Sequence, residues 1–218
     1  MPTLGMMQAT FVQSLIRLCK SIDGNGGSWW IAFEIEQPVD RAREKLIERG
    51  IQTNADYLLF VDSDMEFTPG AFWKMLNKDV DFVSARAYTK TLPPLLCAWN
   101  MGEDGYYKRA PDSPNLTGLQ KVRTTGLSFF LMRTSALKQV WKEHFKGVGK
   151  TEPLIKWQQY ETGKGIGRTG EDIHFCEQLG KYGKYVWLDM DVEVLHYGTG
   201  ISRDVLKLGS VGWYDANV

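Results

Sequence analysis

The nine residues Tyr57-Leu58-Leu59-Phe60-Val61-Asp62-Ser63-Asp64-Met65 constrain this chain most. An uninterrupted apolar run of this length reads as a strand buried on both faces, of the kind found at the centre of a parallel sheet. Such a strand delivers its C-terminal residues to the crevice where open α/β sheets bind ligands. Here it delivers two carboxylates spaced one residue apart. Unpaired buried charge is costly, so Asp62 and Asp64 call for compensation. One reading gives them a hard divalent cation. The other makes Asp62 the end of the strand and Asp64 the cap of the following turn.

The surrounding chain is read as an α/β domain. Phe11, Leu15 and Leu18 predict a helix over 8–19, and Trp29 to Ile35 predicts a strand ending in the acids Glu34 and Glu36. Val39, Ala42, Leu46 and Ile47 predict a helix opened by Pro38. Thr68-Pro69 predicts an N-cap followed by a short helix, and Asp79 to Tyr88 a further strand. Helix and strand alternate through the first ninety residues, the pattern of a nucleotide-binding half. Gly102-Glu103-Asp104-Gly105 predicts a hairpin turn, 120–125 and 127–133 two strands, and 134–144 a helix with His144 on a solvated face. Residues 147–170 read as a long loop, expected to be mobile. Glu171 to Leu179 predicts a helix, and 185–188 and 192–196 two last strands. The segment after Gly198 reads as a tail or lid.

Composition excludes several classes. Twenty-six Lys and Arg balance 26 Asp and Glu, so no global basic field advertises nucleic acid. Cys19, Cys97 and Cys176 are widely spaced and odd in number, which predicts reduced core thiols and not a disulfide frame or zinc site. No apolar run approaches the ~20 residues of a membrane span, and the expectation is a cytoplasmic protein. Gly147-Val148-Gly149-Lys150-Thr151 imitates the end of a P-loop, but the required first glycine would fall at His144.

Together these motifs resemble the GT-A glycosyltransferases, close to the inverting family 2 type. Pro2-Thr3 resembles the end of that family's first strand, although the sequence starts at Met1, directly before it. The segment from Val39 through Arg43, followed by Ala55 to Asp64, resembles its helix and DxD motif. Gly126 to Leu131 resembles the strand lining the acceptor, Gly170-Glu171-Asp172 the ED motif, and His196-Tyr197-Gly198 the late metal-binding histidine. Where the family has Asn after the helix arginine, this chain has Glu44.

The resemblance implies one GT-A domain, with a Rossmann-like, mostly parallel central sheet flanked by helices. Residues 1–90 would bind a nucleotide-sugar, 91–200 would bind the acceptor and carry catalysis, and 201–218 would form the tail. It implies an inverting transfer from a nucleotide-diphospho-sugar, expected to be UDP-linked, to a hydroxyl. The acceptor could be a glycan, lipid-linked sugar, protein or modified nucleic acid. Pro2, Thr3, Glu34, Arg43, Asp62, Ser63 and Asp64 would bind the donor. Asp64, His196 and Asp62 would hold Mn²⁺ or Mg²⁺, and the histidine nitrogen favours Mn²⁺. Asp172 would be the base, with Glu171 beside it. Helical spacing agrees: Asp172, Phe175, Cys176 and Leu179 share one face, leaving Glu171, His174 and Gln178 as a polar flank. Two other classes use the same acids. One is a phosphatase of the haloacid dehalogenase type or a nucleotidyltransferase, and the other is a non-catalytic sugar- or nucleotide-binding module.

Overall fold

The computed structural model describes residues 2–3, 7–35, 38–148, 152–162 and 165–196. In chain order the elements are β1 (Pro2–Thr3), α1 (Ala9–Gly24), β2 (Glu34–Ile35), α2 (Val39–Gln52), β3 (Tyr57–Val61), β4 (Met65–Glu66), α3 (Pro69–Leu76) and β5 (Phe82–Arg86). There follow β6 (Ala98–Met101), β7 (Tyr107–Arg109), β8 (Leu119–Val122), β9 (Thr124–Thr125), β10 (Phe129–Arg133) and α4 (Thr134–Val148). The chain continues with β11 (Gln158–Thr162), β12 (Gly165–Thr169), α5 (Glu171–Lys181), β13 (Val186–Glu193) and β14 (Leu195–His196).

The fold is mixed α/β. Its main sheet has five strands in the order β3-β10-β5-β13-β8. A mostly parallel sheet with β3 at its centre was expected, and the pairing corrects both points: β3 is an edge strand, bonded only to β10 among the described residues. β10 runs antiparallel to both β3 and β5, and β8 antiparallel to β13; only β13 and β5 pair in parallel. Strands β3, β5 and β13 still point the same way, because β10 opposes both its neighbours. β1 and β2 form a separate parallel pair.

Alternation along the strands builds two cores. Phe60, Phe82, Phe130 and Met132 face one side, where Leu46 and Ile47 of α2, Leu137 and Val140 of α4, and Phe175 and Leu179 of α5 cover them. Val61, Val83, Phe129 and Leu131 face the other, under Phe11 and Leu18 of α1 and Ala71 and Met75 of α3. With a period of two, each strand feeds both layers, so the strand run Tyr57–Val61 is apolar throughout. Cys19 and Cys176 are buried and Cys97 half-buried, all as free thiols.

Several expected boundaries move. The strand expected over 29–35 is only Glu34–Ile35, and that expected over 120–125 divides at Arg123. Its first part joins β13 and its second joins β6 in a small three-stranded sheet. The expected loop over 147–170 contains an antiparallel strand pair, β11 and β12, and seats Leu154 and Ile155 in the core. His144 is buried, not solvated: its ring bonds the Tyr182 hydroxyl and the Glu152 carbonyl. Glu36 and the segment after His196, including Tyr197-Gly198 and the expected tail, lie outside the described residues. Among the described residues no helix is long and apolar enough to cross a membrane.

Helix α5 buries a titratable group. His174 sits in the core layer and the Gln178 amide donates to its Nε2 at 3.0 Å, which fixes a neutral ring. Burial, then Lys156, pushes its pKa down to about 4. A base whose folded pKa lies below its unfolded value adds stability that is present above pH ~6.5 and lost as the pH falls toward 4. The raised pKa values of Glu44, Glu171 and Asp172 have the opposite effect on the slope. We therefore expect a His174→Gln protein, relative to the parent, to lose less stability between pH 6.5 and 4. The difference should be on the order of 3 kcal/mol. Urea unfolding at both pH values measures it; parallel curves would remove His174 as the acid-sensitive group.

Candidate functional site

The carboxyl end of β3 turns sharply. The Met65 amide donates to the Asp62 carbonyl at 3.1 Å, while the Asp62 amide extends the ladder to Ser128 at 2.9 Å. Asp62, Ser63 and Asp64 thus sit on a turn anchored on both sides. The next strand, β4, pairs with β14 so that Met65 lies opposite His196. The late histidine is therefore held one register position from Asp64, although 132 residues separate the two in sequence.

Arg43 closes the site from below. It lies on the buried face of α2, only 3% exposed. Its Nη2 donates to both Asp62 oxygens, at 2.7 and 3.0 Å, and its Nη1 donates to Glu171. Burial works against its charge, but Asp62 and Glu171 outweigh that and raise its pKa. One planar guanidinium thus ties the end of β3 to the start of α5. Arg43, expected among the donor-binding residues, directs its guanidinium to Asp62 and Glu171. Glu171, expected on a polar flank, is 6% exposed, and His174 and Gln178 are buried with it. Burial raises the Glu171 pKa, with Arg43 opposing.

Asp172 is the half-buried acid of the pair. Its Oδ1 accepts the Ile173 amide at 2.8 Å. Burial raises its pKa first, against the Ile173 bond and Arg43. Gly170 gives the carboxylate its space, since a Cβ there would come within 2.4 Å of Oδ1, and Gly126 lies alongside, where a Cβ would be in ordinary contact 3.9 Å from Oδ2. Gly126 belongs to the segment expected to line the acceptor side, and Cys97 adjoins it.

Asp64 pairs with Lys90, and His196 Nδ1 donates to the Tyr88 carbonyl. Glu34 is buried and paired with Arg49 of α2 at 2.7 Å, with Lys45 at 3.9 Å. The side chains of Pro2 and Thr3 fall outside the described residues; their backbone pairs with Glu34 and Ile35. Sequence reasoning missed Lys90. It also missed Glu44, whose carboxylate accepts the Leu154 and Ile155 amides at 3.0 and 2.9 Å. That clamp links α2 to the approach of β11.

The donor set can be tested against a divalent cation. Among the described residues no three His, Cys, Asp or Glu side chains gather as a metal site. Asp62, expected as a ligand, has both oxygens engaged by Arg43. Asp64 and His196 fit better: a hard carboxylate and a ring whose Nδ1–H is already fixed, which leaves Nε2 as the donor. Four carboxylates, Asp62, Asp64, Glu171 and Asp172, face two cations, Arg43 and Lys90. That deficit of positive charge suits an added cation when a polyanionic ligand enters.

No family model matches the chain, and no curated protein does. Among solved structures it is similar to the crystal structure of A197 from STIV, at 15% identity and a TM-score of 0.52. The match covers 90% of this chain and 83% of that one. Identity this low speaks to the fold alone.

Proposed function

We propose that this protein is a metal-dependent, inverting glycosyltransferase of the GT-A type. It would transfer a sugar from a nucleotide-diphospho-sugar, UDP-linked in the first instance, to an acceptor hydroxyl. One observation carries the reading: Arg43 joins Asp62, at the end of the edge strand β3, to Glu171, the first residue of α5, and β14 sets a histidine beside the same turn. The co-directional strands β3, β5 and β13 support it, since the acids then occupy the crevice end of the sheet.

Each residue has a task in this reading. Asp172 accepts the proton of the attacking hydroxyl. Glu171 and Arg43 fix the start of α5, and Arg43 also orients Asp62 toward the donor. Ser63 carries the turn. Asp64 and His196 would hold Mn²⁺, or Mg²⁺, which when bound supplies Lewis-acid stabilisation of the departing diphosphate. A phosphatase would need Asp62 as its nucleophile, and a carboxylate doubly bonded to a buried guanidinium is a poor one. A binding module without activity would bind nucleotide and turn nothing over.

Calorimetry with UDP and Mn²⁺ tests the reading. We expect Asp64→Ala to weaken Mn²⁺-dependent UDP binding at least tenfold, about 1.4 kcal/mol, and His196→Ala to weaken it less. Unchanged affinity in Asp64→Ala would remove the metal assignment. A screen of nucleotide-sugars for released nucleoside diphosphate then separates an enzyme from a binding module.

A further inference from the structure

The ion pair between Lys90 and Asp64 lies where the proposed reaction needs a cation. Lys90 belongs to no helix or strand, yet its backbone is braced. The Thr89 amide donates to the Leu95 carbonyl at 2.8 Å, and the Leu95 amide returns a bond to Thr89 Oγ1 at 3.0 Å. Thr89 and Thr91 hydroxyls meet at 2.6 Å, and Thr91 also donates to the Pro93 carbonyl at 3.2 Å. One residue earlier, the Tyr88 carbonyl accepts from His196. The same loop therefore fixes both the ring of His196 and the starting point of Lys90.

Above this fixed base the pair itself is solvent-accessible. The Lys90 side chain is 46% exposed and the Asp64 side chain 34%. Exposed pairs of this kind contribute little to stability, so breaking one costs little. An ammonium on a four-carbon stem can reorient without moving the backbone, and its compact charge suits a phosphate oxygen. Arg43 is different: it is buried and held on two sides.

We propose that Lys90 is an exchangeable counter-ion. In the ligand-free protein it neutralises Asp64. On donor binding, Asp64 exchanges Lys90 for a divalent cation, and Lys90 moves to the donor's diphosphate. This rests on the glycosyltransferase reading above. Its consequence is an opposed pair of effects: Lys90 weakens metal binding to the free protein and strengthens diphosphate binding to the metal-loaded protein.

The experiment uses the full chain and Lys90→Met, which keeps the length of the side chain and removes its charge at an exposed position. Mn²⁺ alone is titrated by electron paramagnetic resonance. UDP is then titrated at saturating Mn²⁺ by calorimetry, with GDP and dTDP alongside to allow for the base. We expect Lys90→Met to bind Mn²⁺ alone roughly three- to tenfold more tightly and its preferred nucleotide about tenfold more weakly. Lys90→Arg should restore most of the nucleotide affinity. Unchanged or weaker Mn²⁺ binding in Lys90→Met overturns the competition for Asp64. Tighter Mn²⁺ with unchanged nucleotide affinity overturns the transfer to the diphosphate. If the parent protein binds neither Mn²⁺ nor any of the nucleotides, the glycosyltransferase reading fails as well. That outcome is distinct from the first two.

Discussion

Replacing Arg43 with Met is expected to destabilise the protein by roughly 3–5 kcal/mol, more than any other single change at the site. The guanidinium is 3% exposed and serves Asp62 and Glu171 together. Its removal leaves two carboxylates facing each other, and Glu171 is itself nearly without solvent. Breaking a buried pair costs far more than the pair's net worth, because the remaining charge keeps its desolvation penalty. For a chain of this size the melting temperature should fall by on the order of 10 °C. Arg43→Lys should recover only part of this, since one ammonium cannot present the planar fork that reaches both acids. Adding Glu171→Met to Arg43→Met should restore some stability by removing the stranded charge. Urea denaturation of the single and double variants reads these values. A loss below 1 kcal/mol for Arg43→Met would mean that Arg43 does not hold the two segments together.

Much of the frame was legible because its signals are local. The helices over 9–24 and 39–52 follow from apolar spacing, the hairpin at 102–105 from its glycines, and the site turn from acids ending an apolar strand. The direction of β10 was not legible. Phe129-Phe130-Leu131-Met132 is apolar in either direction and inserts between β3 and β5 through pairing that no local signal encodes. The division of 119–125 at Arg123 likewise depends on two different partner strands.

At the site, the acids were legible and their partners less so. Yet a signal existed for Arg43. It falls with Leu46, Ile47 and Gly50 at i, i+3, i+4 and i+7, on the buried face of α2. Glu171, His174 and Gln178 repeat the lesson at i, i+3 and i+7, as do Leu137, Val140 and His144. A polar residue in phase with apolar ones on a helix between layers is a buried polar residue that has found a partner. Reading those positions as polar flanks assumed that each helix has a solvent side. Helix α5 is buried on both. Lys90 carries no periodic signal at all, since its place comes from a loop braced by its own hydroxyls.

The largest effect on turnover is expected at Asp172. Of the two acids opening α5, Glu171 is closed off by Arg43, while Asp172 is partly exposed in the space left by Gly170. Only Asp172 is therefore open to an entering hydroxyl. Asp172→Asn keeps its size and its bond to the Ile173 amide but cannot take a proton. Transfer should fall by ~10²–10⁴, while Mn²⁺ and UDP binding should stay within about twofold of the parent. Glu171→Gln should instead lose stability, because it weakens the pairing with Arg43. In the parent, kcat/KM should rise with pH through a midpoint above the ordinary carboxylate value of about 3.9, since burial raises the Asp172 pKa and the base must be ionised to act. Under the proposed reading, inversion at the anomeric carbon is the expected outcome. A covalent sugar intermediate would need a second carboxylate at the reacting carbon. Asp62 and Glu171 are engaged by Arg43, Asp104 lies in the β6–β7 turn paired with Lys108, and Glu66, on β4 opposite Leu195, is the remaining carboxylate that retention would call on. Retained anomeric configuration by NMR, or an Asp172→Asn protein transferring at the parent rate, would defeat this assignment.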